Sequence, residues 1–401
     1  MEMPPTGYPR GLLNQPWNER LRYFRSYTIA HPWLVQAHAA LLHAIHEMPR
    51  NSLILLLGPT GVGKTTLRAK IEQLLVTETL PDLKADSGRL PVVSVECAAP
   101  ESGTFSWRDQ FRRLLLQMDE PLIDYKINPE APVRIGGKVM GFMPSAKAAG
   151  SEYRYAVEKA LRFRRPVAVL IDEAQHLARV GSGRRLADQL DVIKSIANLT
   201  GTVHVLLGTY ELLAFRNLSA QLSRRSVDLH FPRYRADHPD ERRMFLTVLR
   251  SFEQQLPLSE PPDLVQEWEY LYERSIGCVG VVKDWLVRTL TGVFTRGATT
   301  LTLADLRAHA PSVAQSEKML SEALEGEGRL SESLEQRNRL RARLGLSPMG
   351  GKEADSSMGG EPRAMAELAS PRERRKRPGQ RRPTRDPIGL PACDYATAAS
   401  F

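Results

Sequence analysis

Apolar residues in the first fifty positions recur at helical spacing, with Ala37, Leu41, Leu42, Ile45 and Met48 near one face, so residues 18–48 predict a helical lead-in. The pattern then changes. SLILLL is a short, nearly continuous apolar run, as expected for a buried parallel strand, and it leads at once into a glycine-rich turn and the helical stretch TTLRAKIEQLL. Three further strand-like runs follow, LPVVSVE near Leu90, PVAVLID near Pro166 and VHVLLG near Val203, with a weaker one, SVDLHF, at Ser226. Strands alternating with helices predict a mostly parallel sheet with helices on both faces. From His238 to about Ala310 the spacing is helical throughout, broken by QLPLSEPP and by GCVG at Gly277, which predicts a small all-helical second domain. Past about Leu346 large apolar residues become rare and Gly, Pro, Ser and Arg take over, the composition of a disordered tail. The chain divides accordingly into a helical lead-in over 1–48, an α/β core over 49–235, a helical domain over 236–312, a helical extension over 313–345 and a basic tail over 346–401.

Composition narrows the class of protein. With 401 residues, 42 % hydrophobic and 25 % charged, the chain can bury a sizeable core. The net charge of +9 is compatible with a nucleic-acid partner, because phosphates reward clustered Lys and Arg through counterion release. Much of that excess lies in PRERRKRPGQRRPTRD from Pro371 to Asp386, so the foldable part is less basic than the whole. This stretch reads as an electrostatic arm, as a segment that folds on a partner, or as a plain solubilising tail. The three cysteines, Cys97, Cys278 and Cys393, lack metal-ligand spacing, which argues against a zinc site and a disulfide framework. The start has no basic flank followed by an apolar stretch, and runs such as Leu53 to Leu57 are too short to span a bilayer. A soluble cytoplasmic protein is expected.

The candidate chemistry sits at strand ends. GPTGVGKTT, comprising Gly58, Pro59, Thr60, Gly61, Val62, Gly63, Lys64, Thr65 and Thr66, fits G-x-x-x-x-G-K-[ST] and lies between a strand and a helix, the context of a P-loop. Glycines let backbone amides turn inward around the phosphates of ATP, Lys64 can reach the outer phosphates, and the Thr65 hydroxyl can ligate Mg²⁺. PVAVLIDEAQHL puts Asp172 and Glu173 at the C-terminal end of a buried strand, where open α/β sheets bind ligands. Asp172 would hold Mg²⁺, and Glu173 would polarise the water that attacks the γ-phosphate. Simple capping of the next helix is the other reading of that acidic pair. His176 reads as a packing or surface residue.

The order GPTGVGKTT, LIDEAQHL, VHVLLGTYELL, LSRRSVDLHFPRY, then a helical segment opening with GCVG and closing with LTLADL, resembles the TniB/TnsC transposition proteins. These are AAA+ ATPases, more distantly similar to the origin-recognition and helicase-loader proteins and to the phage MuB protein. The resemblance covers about residues 18–310. It implies an α/β P-loop NTPase (AAA+) fold, a parallel sheet sandwiched by helices, with 236–312 as a small all-helical lid. It makes Thr209 the residue that senses the γ-phosphate, and Arg224 and Arg225 the arginines projected into a neighbouring subunit's ATP site. Lys283 would present its charge to the phosphates from the lid.

The same resemblance implies ATP-bound subunits assembling as a ring or helical filament on double-stranded DNA in a bacterial cytoplasm. They would recruit or stimulate a transposase, receive a target-selector protein of the TniQ type, and be released by hydrolysis. Phosphate contacts without base reading would come from basic groups repeated by each subunit. Candidates are Arg108, Arg112, Arg113, Lys138, Lys147, Arg162, Arg164, Arg165, Arg179, Arg184 and Arg185; for most of them singly, a solvated helix face is the plainer reading. A helicase is disfavoured, since no Ser-Ala-Thr motif follows DEAQ, no QxxGRxGR motif is present, and a second motor domain has no room. The alternative is an ExeA-like or helicase-loader-like ATPase acting as an ATP-gated assembly switch outside transposition.

Overall fold

Pro32 divides the N-terminal helical stretch in two in the computed structural model of the protein, which describes residues 8–100, 103–123, 133–135, 138–140, 146–179, 186–216, 226–331 and 333–348. Helix α1 runs Trp17–Ser26 and α2 runs Pro32–Glu47. A proline disfavours helical backbone in the residue before it but suits the first helical turn. His31 accordingly stands extended at φ −80°, ψ 155°, and its ring accepts the Leu34 amide at 3.4 Å.

The α/β part then reads β1 Leu53–Leu57, α3 Lys64–Ala85, β2 Val92–Glu96, α4 Trp107–Gln117, and an antiparallel pair of β3 Val133–Ile135 with β4 Lys138–Met140. It continues with α5 Ala146–Arg164, β5 Ala168–Asp172, a 3-10 turn Ala174–Ala178, α6 Leu186–Thr200 and β6 Val203–Gly208. A second 3-10 turn, Tyr210–Leu212, leads into the one-turn helix α7 Leu213–Arg216 and then β7 Ser226–His230. Strands β2, β5, β6, β1 and β7 form a five-stranded sheet in that order, every pairing parallel.

The continuous apolar runs now have their physical reason. β1, β5 and β6 are central and buried at every position, while the edge strands β2 and β7 are not. Successive side chains leave opposite faces. Leu53, Leu55 and Leu57 join Val169, Ile171 and Leu206 against α4 to α6. Ile54 and Leu56 join Leu170, Val205 and Leu207 against α2 and α3, through Leu41, Ile45, Leu67 and Ile71.

After β7 the structure is helical: α8 Pro239–Gln255, α9 Trp268–Ser275, α10 Val279–Thr295, α11 Leu303–Ala308 and α12 Val313–Leu330. Phe245, Phe252, Leu271, Trp285 and Leu290 make its core, and Leu21 and Phe24 of α1 are part of that same core. The lead-in is therefore two pieces with different hosts, α1 with the helical part and α2 with the sheet. Both α11 and α12 begin with capping boxes, Thr302 with Asp305 and Ser312 with Gln315. Chain contacts divide the protein into Met1–Ser333 and Leu334–Phe401. In the second unit α13 Leu334–Arg343 is strongly polar and buries no residue. Among the described residues no helix is long and apolar enough to cross a membrane.

Candidate nucleotide-binding site

The loop between β1 and α3 is held from below. Gly58 donates its amide to Gly208 O at 3.3 Å, and a Cβ there would lie 2.4 Å from Phe231 O, so the loop leaves the sheet where no side chain fits. Gly63, at φ +113°, precedes α3 in a backbone conformation that other residues rarely adopt, and no side chain caps the helix. The first amides of α3 are thus left for an outside acceptor, where the helix dipole favours an anion. Lys64 is 7 % exposed, and its Nζ donates to Gly58 O at 3.0 Å and Pro59 O at 2.9 Å. Burial pushes its pKa down, and Glu173, Cys278 and Asp172 pull it back up.

Asp172 and Glu173 take different environments at the end of β5. Asp172 is buried; one carboxylate oxygen accepts the Glu173 amide at 2.9 Å and the other lies 3.2 Å from Arg68 Nε of α3. Glu173 is half-buried, with its backbone in the left-handed region at φ +51°. For a residue with a side chain this is strained, of order 1–3 kcal/mol, and it turns the chain sharply at the strand end.

Lys64 and Glu173 open onto one cleft of about 480 Å³, while Asp172 lies behind it and is not among its lining residues. Thr60, Gly61, Gly63, Lys64, Thr65 and Thr66 line it, with Glu173 and Thr209 from the sheet and Arg25, Gly280 and Lys283 from α1 and α10. Thr209 Oγ1 is buried without a hydrogen-bond partner among the described residues. A buried hydroxyl carries a desolvation penalty unless something bonds it, so the cleft is built for a polar ligand. Gly280 is the close contact of the helical part with the loop: a Cβ there would lie 2.5 Å from Gly61 O. A triphosphate fits this arrangement, with an uncapped helix N-terminus, a buried ammonium and an unpartnered hydroxyl around one space. Thr65 and Asp172 are hard oxygen donors of the kind Mg²⁺ prefers.

Other expected residues are distributed differently. Lys283 lines the cleft, and its ammonium donates to Arg25 O and Tyr27 O, both at 2.7 Å, so this cation is engaged with α1. Arg224, Arg225, Arg184 and Arg185 lie outside the described residues. Lys138 falls in β4 and Lys147 in α5, and their side chains are also outside that description. Arg108, Arg112 and Arg113 sit exposed on α4, with Arg113 paired to Asp109 at 2.6 Å. Arg162, Arg164 and Arg165 have partners within the fold: Arg162 donates to Leu199 O at 2.8 Å, Arg164 pairs with Glu120 at 3.1 Å, and Arg165 pairs with Asp86. Arg179 lines a second cavity, of about 350 Å³, between the Glu173 turn, Thr209 and α12. Among the described residues no group of three or more His, Cys, Asp or Glu could hold a metal ion, and Cys97 and Cys278 are buried free thiols.

Sequence reasoning missed Gln175, Arg68 and Arg25. Gln175 stood in view as the last letter of DEAQ. The other two announce themselves only through space, since Arg68 reaches from α3 to Asp172 at the end of β5 and Arg25 comes from α1.

Compared with known proteins, residues 48–215 match a family described as AAA domain. The search among curated proteins gives no match. Among solved structures the chain is similar to the Aeropyrum pernix ORC2 protein in ADPNP-ADP complexes, at 15 % identity and TM-score 0.45, over 82 % of this chain and 86 % of that one. It is similar to the A. pernix ORC1 protein in complex with DNA, at 19 % identity and TM-score 0.46, over 74 % and 68 %. A Walker-type ATPase of Pyrococcus abyssi aligns at 18 % identity and TM-score 0.39, over 77 % and 75 %. By its five-stranded parallel sheet between helices, its phosphate loop and the matched segment, the fold is α/β, that of a P-loop AAA+ domain.

Proposed function

We propose that the protein is an ATPase that assembles on duplex DNA in its ATP state and regulates DNA transposition, recruiting or stimulating a transposase. The observation that carries the ATPase part is the cleft in which the glycine loop, Glu173 and the unpartnered Thr209 hydroxyl meet. In this reading the α3 amides and Lys64 bind the phosphates, drawing the ammonium off the Gly58 and Pro59 carbonyls. Thr65 and Asp172 would hold Mg²⁺, which when bound neutralises charge on the outer phosphates. Glu173 orients a water and takes its proton, and the Thr209 hydroxyl donates to the γ-phosphate. Arg224 or Arg225 would act on a neighbouring subunit's nucleotide, making turnover depend on assembly.

The transposition part rests on the motif order that resembles the TniB/TnsC proteins. DNA contact would come from the exposed arginines of α4 together with the basic segments 138–147, 179–185 and 371–386.

The test is to incubate the protein with a long duplex and ATP, a slowly hydrolysed analogue or ADP, and to measure DNA binding and assembly size. Analogue-dependent oligomers on DNA of any sequence, weakened steeply by salt, are expected. Glu173→Gln should form them with ATP itself and cut turnover to a small residual rate. Assembly indifferent to nucleotide, or unchanged turnover in Glu173→Gln, refutes the reading. ATP-gated assembly that ignores DNA and transposase would instead favour a helicase-loader-like or ExeA-like switch.

A further inference from the structure

The ladder between β5 and β6 ends at Ile171 paired with Leu206. Beyond it, the two strand ends that carry Glu173 and Thr209 are joined by a side chain. Gln175 Nε2 donates to Glu173 Oε2, and Gln175 Oε1 accepts the Thr209 amide at 3.2 Å. The amide can face only one way, because the Thr209 N–H can only donate and the ionised carboxylate can only accept. Gln175 is 7 % exposed, on a turn whose neighbours Ala174 and Leu177 are fully packed into the sheet core. The opposite side is cleared for it: a Cβ on Gly208 would stand 2.5 Å from Gln175 Oε1.

We propose that Gln175 is the positioning residue of Glu173, a rigid link that makes the attitude of the Glu173 carboxylate follow the position of the Thr209 strand end. The inference deepens the ATPase reading and rests on it. Glu173 by itself is poorly constrained, since it stands half-buried on a left-handed turn with a flexible side chain. The Gln175 amide removes that freedom. Because its other end is bonded to the backbone of Thr209, a ligand that draws on the Thr209 hydroxyl also loads the link that holds Glu173. Glu173 would be presented to the attacking water in step with occupation of the γ-phosphate position.

The experiment compares ATP turnover and equilibrium nucleotide binding for the full chain and for Gln175→Met, Gln175→Glu and Gly208→Ala, each alone and combined with Glu173→Gln. Gln175→Met should lower kcat about tenfold or more while KM and nucleotide Kd stay within about twofold, since a group displaced by an ångström loses rate and not ground-state affinity. Gln175→Glu keeps the acceptor for Thr209 but sets a carboxylate against Glu173, and should lose more. Gly208→Ala reaches the same contact from a different residue and should fall in the same direction as Gln175→Met. Retained nucleotide binding certifies that each variant is folded. On the Glu173→Gln background the Gln175 substitutions should lower the residual turnover no further. Wild-type kcat in Gln175→Met, or an undiminished loss on the Glu173→Gln background, overturns the proposal while leaving the ATPase reading in place. A wild-type protein without turnover, or turnover independent of Glu173, removes both.

Discussion

Among the described residues Glu327 is the only carboxylate bonded to the buried Arg233, so its removal should be costly to the fold. Arg233, just past β7, is 6 % exposed, and Glu327 of α12 holds it through two bonds, Nε to Oε1 at 2.9 Å and Nη2 to Oε2 at 3.1 Å. Tyr272 Oη and the Ile276 carbonyl, each 3.3 Å from Nη1, complete the shell. Burial disfavours the charged guanidinium, yet Glu327 more than offsets this and the pKa is raised. Glu327→Ala would leave a desolvated cation facing only neutral acceptors, a change of about 3–5 kcal/mol when one partner of a buried pair is removed. Replacing both groups by apolar side chains, Arg233→Met with Glu327→Leu, should cost roughly 1 kcal/mol or less, because no charge is left stranded. Urea unfolding followed by circular dichroism on Glu327→Ala and on the double variant reads the difference. The double variant must be the more stable of the two Glu327 changes; if Glu327→Ala lies within about 0.5 kcal/mol of wild type, or the double is worse than the single, the buried pair is not what pins α12.

Three other outcomes are expected. Lys64→Ala should abolish tight nucleotide binding in a fluorescence titration with a labelled ATP analogue, since the ammonium held on the loop's own carbonyls is lost; unchanged affinity would refute its role. His31 and His204 are buried and neutral, each with its pKa pushed down to about 4 by burial, against 6.5 in the unfolded chain. Their contribution is therefore intact above pH 6.5 and is lost as pH falls toward 4, roughly 3 kcal/mol each at most, and a flat denaturation midpoint from pH 7 to 4.5 would contradict it. Phe24→Ala should destabilise the helical part by about 3–5 kcal/mol, the cost of emptying a fully buried aromatic site, measured as an earlier unfolding transition; a shift below about 1 kcal/mol would mean α1 is not seated there.

Local pattern made much of this legible. The period-2 division of Leu53 to Leu57 between two faces needs only adjacent residues, and GPTGVGKTT carries its own geometry because glycines with unusual φ occur where the chain must turn around an anion. The break between α1 and α2 was written in Pro32 but hidden by apolar positions that kept helical spacing across it. What escaped was set by residues distant in sequence. The resemblance makes Lys283 a phosphate ligand, and it does line the cleft, but nothing local reveals that the carbonyls of Arg25 and Tyr27 also lie against its ammonium. Gln175 escaped in the same way, since one partner, Glu173, is adjacent in the motif but the other, Thr209, is 34 residues on and meets it only because β5 and β6 are neighbours. The β3–β4 pair, of three residues a strand, was too short for periodicity to register.

The seat of α1 fixes the order in which the molecule can be finished. Tyr23 bonds to Gln255 at 2.8 Å, and Lys283 closes over Arg25 and Tyr27, partners separated by well over two hundred residues of chain. On the ribosome α1 emerges before the sheet, and its apolar face stays unmatched while the sheet is made, because Phe252, Trp285 and Leu290 follow later in the chain. The β1–α3 loop can close before that, but the wall that Arg25 gives the cleft cannot. Completion of the nucleotide cleft is thus a late, long-range event, set by loop closure across most of the polypeptide rather than by the speed of any one helix.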